Sequence, residues 1–306
     1  MQTAAKNTVR ILQAQTHVPD IRPSGSGIYS PDQVTQFRES ALKQAENACR
    51  KASEEGADIA ALPEMFCCPY QAGFFPYFAE PEGGPVWSAC AGMAARYRIY
   101  LSAGSMPEID EEGRIYNTAY VFDRSGRQIA RHRKMHLFNI NVPGGIIFRE
   151  SDTLSAGDRV TVFETEFGPV GLCICFDFRF PELARLMALR SARLILVPAS
   201  FNMTTGPAHW ELMFRSQAMY QQCFAVGTAP ALNESASYHS WGHSIAADPW
   251  GNVICQMGFE EGSQLIELDL SEADRIRAEL PLLSGRREDV YTLKENAAMK
   301  AASENN

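Results

Sequence analysis

The chain has 306 residues, 45% of them apolar and 21% charged, and 28 Lys and Arg stand against 36 Asp and Glu for a formal net charge of −8. That is the composition of a soluble globular protein, with length for one large domain or two ordinary ones. No basic block is present to neutralise phosphates, which argues against a nucleic-acid partner. The opening stretch MQTAAKNTVRILQAQ lacks the apolar core of an export signal, and no run approaches the ~18 apolar residues of a membrane span. A cytoplasmic protein without a membrane partner is expected. Eight cysteines (Cys49, Cys67, Cys68, Cys90, Cys173, Cys175, Cys223 and Cys255) are scattered over the chain and read as free thiols.

The elements follow in chain order. TVRILQAQ (8–15) is a short buried strand. Val34, Phe37, Ala41, Ala45, Ala48 and Ala52 recur at helical spacing over 32–55, and ADIAALPE (57–64) is a second apolar strand. A helical stretch near 85–97 precedes IYLSAGSMPE. IYNTAYVFD and GRQIARHRKM pair around the turn DRSG. PVGLCIC is a strand placing Cys173 and Cys175 on one face, and PELARLMALR is a helix with Pro in its first turn. RLILVPAS and FAVGTAP are strands flanking the helix HWELMFRSQAMYQQC. HSIAAD and NVICQM form a hairpin around PWG, SQLIELDL is a strand, and Ser271 is the expected N-cap of SEADRIRAEL. The alternation implies an α/β layered fold with a mixed sheet. No linker or repeat divides it, so a single domain over 1–306 is expected, with its core at about 8–291 and a loose polar tail at 294–306.

Cys175 lies where strand gives way to helix, a position that can expose a nucleophile on an elbow. A thiol of pKa near ~8.5 needs a base or a cation beside it. His209 and His243 are candidates. His132 and His136 are four apart, a zinc spacing on a helix, but their segment reads as a strand and lacks the Glu of a zinc protease. Glu64 ends an apolar strand at the edge where open α/β sheets bind ligands, and is the better base.

LPEMF, RKMHLF and GLCICFDFRFPE together resemble the three signatures of the nitrilase, or carbon–nitrogen hydrolase, superfamily, in its order of Glu, Lys and Cys. The resemblance runs from about residue 8 to RREDVY at 286–291. It implies a four-layer αββα sandwich, a homodimer or higher homo-oligomer, and no metal or organic cofactor. By the same match Glu64 is the general base, Lys134 the cation, Cys175 the nucleophile and Glu150 a supporting carboxylate. The flanks HLFNINVPGGIIFRESDTLSAG, FNMTTGPAHWELMFRSQAM and ASYHSWGHS are similar to the omega-amidase branch. That branch hydrolyses the terminal amide of 2-oxoglutaramate and 2-oxosuccinamate. The alternatives are a deaminated-glutathione-type amidase, an N-carbamoyl amino acid hydrolase and a non-catalytic binding member. Asn139 and Asn141 stand where the branch has Asp, and HVPDIRPSGSGIYSPD is a longer connection than the branch uses. A far carboxylate on the substrate needs a partner; Arg179, Arg215, Tyr70, Thr204 and Thr205 are candidates, and Phe176 lines the same elbow. Arg179 has a second reading, as the ion-pair partner of Asp177 or Glu182 that holds the elbow.

Overall fold

The computed structural model describes residues 6–23 and 27–296; residues 1–5 and most of the expected loose tail lie outside the described residues. In chain order β1 (Thr8–Gln15) is followed by α1 (Pro31–Glu54), β2 (Ile59–Ala61), the single turn α2 (Phe75–Phe78), α3 (Pro85–Tyr97), β3 (Tyr100–Ser102), β4 (Met106–Ile109), β5 (Ile115–Phe122) and β6 (Gln128–Arg133). A small hairpin, β7 (Asn139–Asn141) and β8 (Ile147–Arg149), comes next. Then come β9 (Thr161–Thr165), β10 (Gly168–Leu172), α4 (Pro181–Leu189), β11 (Leu194–Pro198), α5 (Gly206–Gln221), β12 (Phe224–Thr228), β13 (Ile245–Ala247), β14 (Val253–Gln256), β15 (Gly262–Asp269) and α6 (Ser271–Glu279).

Two mixed sheets result. The first runs β15-β1-β2-β3-β5-β4 with β6 added on β5, and β1, β2 and β3 are parallel. The second runs β14-β13-β12-β11-β10-β9, and β10, β11 and β12 are parallel. Side-chain alternation along β1 explains how they stack. Val9 and Ile11 join Leu172, Leu194 and Leu196 in one core, whereas Leu12 and Ala14 enter another with Ala41 and Ala45 of α1 and Val86 and Met93 of α3. Gln13, on the Val9 face, reaches across with its amide to Gly227 O (2.9 Å) and Ile245 O (3.1 Å) of the second sheet. Met187 of α4 and Trp210 and Phe214 of α5 cover that sheet from outside. The layers are therefore helix, sheet, sheet and helix, the expected αββα sandwich.

The helical stripe of α1 is buried at all six expected positions, and Ser30 closes a capping box with Gln33 ahead of Pro31. Three details differ from the sequence reading. β10 stops at Leu172, and Cys175 opens a 3-10 turn (Cys175–Arg179) with φ 47°, so Cys173 and Cys175 do not share a strand face. Ser271 is the first helical residue of α6 rather than its cap; its N–H and hydroxyl both go to Asp269 Oδ1. The hairpin β7–β8 and strand β9 had no counterpart in the periodicity, because both are short and largely exposed or half-buried. The eight cysteines are free thiols, and no described helix is long and apolar enough to cross a membrane.

The fold places chemistry at strand C-termini. Glu64 follows β2, Lys134 follows β6 and Cys175 follows β10. The Glu64 turn is braced from β3–β4. Gly104 has φ 60°, and a Cβ there would sit 2.0 Å from Pro63 O. Ser105 Oγ accepts the N–H of Met65 at 3.0 Å. Gly104→Ala combines a left-handed backbone with a clash against main chain, so it is expected to destabilise the protein by about 2 kcal/mol or more. The check is a lower denaturant midpoint at unchanged slope.

Candidate active site

Lys134 is wholly buried, and its ammonium donates to Glu64 Oε1 at 2.8 Å and to Glu150 Oε1 at 3.0 Å. Tyr70 closes the cluster: its hydroxyl donates to Glu150 Oε1 at 2.9 Å and lies 3.3 Å from Glu64 Oε1. Asn117 of β5 adds an amide donor to Glu64 Oε1 at 2.9 Å. Glu150 begins a short 3-10 turn after β8, and its second oxygen takes the Phe138 N–H at 2.6 Å. The backbone fixes the lysine as well. Lys134 N donates to Asn117 O at 2.8 Å, and Gly157 N donates to Lys134 O at 2.8 Å. Only a glycine fits at 157, since a Cβ would meet Arg133 O at 2.1 Å.

Burial alone works against the lysine charge, but Glu150 and Glu64 outweigh it and hold the Lys134 pKa well above its usual value. Burial raises the Glu64 carboxyl above the ordinary range, with Lys134 pulling the other way. Burial also pushes the Cys175 thiol well up, and Glu64 adds to the shift while Lys134 opposes it. The resting site therefore favours a protonated Lys134 and a neutral Cys175 thiol. With Oε1 fully engaged, Glu64 Oε2 is buried without a partner. An unmet carboxylate oxygen is costly, so a neighbouring proton donor is favoured there, and the thiol of Cys175, 4% exposed, is electrostatically coupled to it. Met65 (φ 52°) and Cys175 (φ 47°) are both left-handed non-glycine residues, one directly after Glu64 and one at the thiol. Backbone strain of this kind persists where surrounding structure enforces it.

Sequence reasoning missed the residue that joins these pieces. Asp177 is fully buried, and its carboxylate accepts five donors: His132 Nε2 (2.9 Å), His136 Nδ1 (2.8 Å), His136 N (2.8 Å), Met135 N (3.1 Å) and Ile174 N (3.1 Å). It thus ties the segment just after Lys134 to the segment carrying Cys175. His132 and His136 serve Asp177 from β6 and the following turn, which accounts for their spacing without a metal. The donors hold the Asp177 pKa far below the carboxylate range despite burial.

The remaining candidates separate clearly. Arg179 does not pair with Asp177 or Glu182. Its guanidinium lies over the rings of Phe201 (4.5 Å) and Phe176 (5.8 Å), and its Nη1 is 3.2 Å from His209 Nδ1. Burial lowers its pKa, while Cys175 and Tyr238 nearby act in the opposite sense. No salt-bridging carboxylate accompanies it among the described residues. Arg215, by contrast, is half exposed on α5 and bonded to Glu211 Oε1 (3.1 Å) and Gly251 O (2.8 Å), so the structure does not bring it to the cluster. Thr204 and Thr205 bond through their N–H groups to Asn202 Oδ1, and Gly145 of the β7–β8 hairpin approaches Thr204. Tyr70 belongs to the charged cluster itself. Asn139 and Asn141 are exposed, and Asn139 Oδ1 takes the Ser151 N–H at 3.1 Å. His243 is turned onto Trp241, with Nδ1 2.6 Å from Trp241 O. Tyr238, unmarked in the sequence, packs against Tyr70 with ring centroids 4.6 Å apart at a 37° tilt and donates to Ser200 O at 2.6 Å.

Asp177→Asn replaces one acceptor oxygen by an NH2 facing donors, so Lys134 and Cys175 lose their shared anchor. A displacement near 1 Å costs about 100-fold in turnover, and kcat is expected to fall by about that factor with KM within about threefold. The stability contribution of a carboxyl with depressed pKa is complete above the unfolded value of ~4 and fades as pH falls below it. Wild type is therefore expected to lose more stability than Asp177→Asn between about pH 5 and pH 2. Steady-state kinetics and denaturant midpoints across that range check both parts.

Comparison with known proteins agrees with this geometry. The carbon-nitrogen hydrolase family profile matches residues 25–278. The omega-amidase NIT2 of Mus musculus is 43% identical over 262 residues, covering 86% of this chain and 95% of that protein; the NIT2 of Homo sapiens is 42% identical over the same shares. Saccharomyces cerevisiae Nit3, a member of branch 10 of the nitrilase superfamily, superposes with a TM-score of 0.79 at 32% identity, over 94% of this chain and 99% of that one. The C. elegans NitFhit protein also superposes at 0.79, with 29% identity over 95% of this chain and 68% of that one. With its αββα sandwich and its buried Glu64, Lys134 and Cys175 at three strand ends, the chain belongs to the carbon–nitrogen hydrolase family of the nitrilase superfamily and is similar over most of its length to omega-amidases.

Proposed function

We propose that this enzyme is a cysteine-dependent amidase that hydrolyses the terminal amide of a small carboxylate-bearing substrate, of the 2-oxoglutaramate or 2-oxosuccinamate kind, through a thioester. The observation that carries the reaction is the buried Lys134 ammonium held between Glu64 and Glu150, next to a thiol on a strained elbow. Glu64 takes the Cys175 proton as sulfur attacks the amide carbon. Lys134, and the Phe176 N–H at the start of the 3-10 turn, meet the charge that develops on oxygen. Glu64 passes the proton to the leaving nitrogen, ammonia departs, and Glu64 then activates water against the thioester. Glu150 and Tyr70 hold the ammonium in place throughout.

Arg179 supports the substrate reading. It is a partly desolvated cation over two aromatic rings with no salt-bridging carboxylate among the described residues, and a substrate carboxylate supplies that partner. Thr205, at the head of α5, stands on the Asn202 anchor as a further polar contact. Assembly into a homodimer or larger oligomer belongs to the same proposal; the exposed Leu212, Tyr220 and Trp250 are apolar groups that such contact covers.

Two outcomes are expected. First, ammonia release from succinamate exceeds that from butyramide of similar length, and Arg179→Gln lowers kcat/KM for succinamate about 30- to 100-fold while leaving butyramide nearly unchanged. Equal rates on the two amides in wild type remove the carboxylate argument. Second, the base must be ionised, and burial raises its pKa, so kcat/KM declines on acidification through an apparent pKa above the ordinary ~4.3 of Glu. An acidic limb at or below that value contradicts Glu64 as the base.

A further inference from the structure

The long connection between β1 and α1 is not used by the chemistry above, yet it forms one wall of a cavity of about 290 Å3 that ends on Glu64. Val18, Ile21, Tyr29, Met65, Phe74 and Tyr238 give that cavity an apolar lining. Apart from Glu64 Oε2, several of its polar side chains are already hydrogen-bonded within the protein. Asn233 Nδ2 donates to Val18 O (3.0 Å), Ser237 Oγ to Gln71 Oε1 (2.9 Å), Ser240 Oγ to Pro230 O (3.0 Å) and Tyr29 OH to Ile21 O (2.8 Å). The rim charges Asp20 and Arg22 pair at 3.2 Å. A ligand entering here therefore meets few unpaired donors or acceptors, which selects an uncharged apolar group. The size fits one: a dry cavity of about 150 Å3 is enough for benzene, so this one has room for a ring and its linking carbons.

The cavity also has a definite side. Glu64 and Ser200 line it, whereas Cys175, Lys134, Phe176 and Arg179 do not. Resting on the amidase reading, in which Glu64 protonates the departing nitrogen and Arg179 faces the acyl carboxylate, we propose that this cavity is a leaving-group subsite. It takes the apolar N-substituent of a secondary amide whose acyl part carries the carboxylate. The balance is that of the primary amide. The Sγ–C bond forms as the thiol proton moves to Glu64. The C–N bond breaks as that proton moves to nitrogen, and an amine rather than ammonia leaves. Water then releases the same acid and restores the thiol, with no oxidation or reduction.

The test compares succinamate, N-methylsuccinamate and N-benzylsuccinamate on the full-length enzyme, following the acid product. KM for the N-benzyl amide is expected to lie about tenfold or more below that for the N-methyl amide, from burial of the ring. Ile21→Trp, which fills the cavity, raises KM for the N-benzyl amide by about tenfold and leaves succinamate within about twofold. Val18→Phe gives the same split if the first variant does not fold. Cleavage of succinamate without cleavage of N-benzylsuccinamate overturns the subsite and leaves the amidase reading intact. So does a variant that slows all three amides equally, or a preference for a benzyl group moved to carbon 2 of the acyl chain. Failure to cleave any amide, succinamate included, removes the amidase reading and the subsite with it.

Discussion

An ammonium with no exposed surface is the constraint on which the rest depends. Taking Lys134 out of water costs several kcal/mol before any partner is counted, and only well-placed counter-charges offset it. Glu64 and Glu150 supply them at 2.8 and 3.0 Å, while the Tyr70 hydroxyl donates to Glu150 Oε1 and the Asn117 amide to Glu64 Oε1. These groups come from the ends of β2 and β6, the middle of β5, the turn after β8 and the loop before α2. The cluster forms only if all five segments converge, so its electrostatics and the sandwich specify one another. The same arrangement makes Glu64 unusual, with one oxygen saturated by nitrogen and hydroxyl donors and the other buried without such a donor, the Cys175 thiol being the carboxylate's remaining neighbour. A carboxylate in that state is a good acceptor for the proton of a thiol whose own ionisation is suppressed by burial.

The thiol is placed by a second buried charge. Asp177 gathers three backbone N–H groups and two imidazoles from both sides of the gap between Lys134 and Cys175. It works much as a helix cap does, satisfying main-chain donors that the end of a strand and the start of a turn leave open. His132 anchors Asp177 to β6 of the first sheet, and His136 stacks on Phe180 at the N-cap of α4 (3.7 Å), so the elbow that continues β10 of the second sheet is bound to the first as well. The left-handed φ at Cys175 is held by that network. Outside it, Arg179 lies across Phe176 and Phe201, with no salt-bridging carboxylate among the described residues.

What the sequence discloses divides along physical lines. The buried faces follow from alternation and helical period: the buried stripe of α1 and the apolar runs of β1, β2 and β11 appear where the pattern places them, because one-dimensional periodicity encodes which face is buried, whereas the four-layer order was implied by the resemblance to the nitrilase superfamily. Glu64, Lys134 and Cys175 were legible because each sits in a motif with its own local context. Asp177 was not, since four of its five donors lie on residues 41 to 45 positions away and an acid beside an arginine reads as a local ion pair. Tyr238 and Asn117 carry no spacing signal at all; they matter only through contacts made in three dimensions. The two thiols at 173 and 175 misled in the opposite sense: strand parity gave them one face, but the strand ends at Leu172 and the left-handed step at Cys175 breaks the alternation. The stagger of His132 and His136, suggestive of a metal, is instead the reach of a strand and its following turn to one carboxylate.

The account stands or falls on covalent attack by one particular sulfur. Mass spectrometry of enzyme quenched during turnover of a slowly deacylated amide tests it most directly. The predicted result is an added mass equal to the substrate less its amine, located on the peptide that holds Cys175 and missing in Cys175→Ala. Turnover that proceeds with no such adduct, or with the acyl group on Cys67, Cys68 or Cys173 instead, would contradict the assignment.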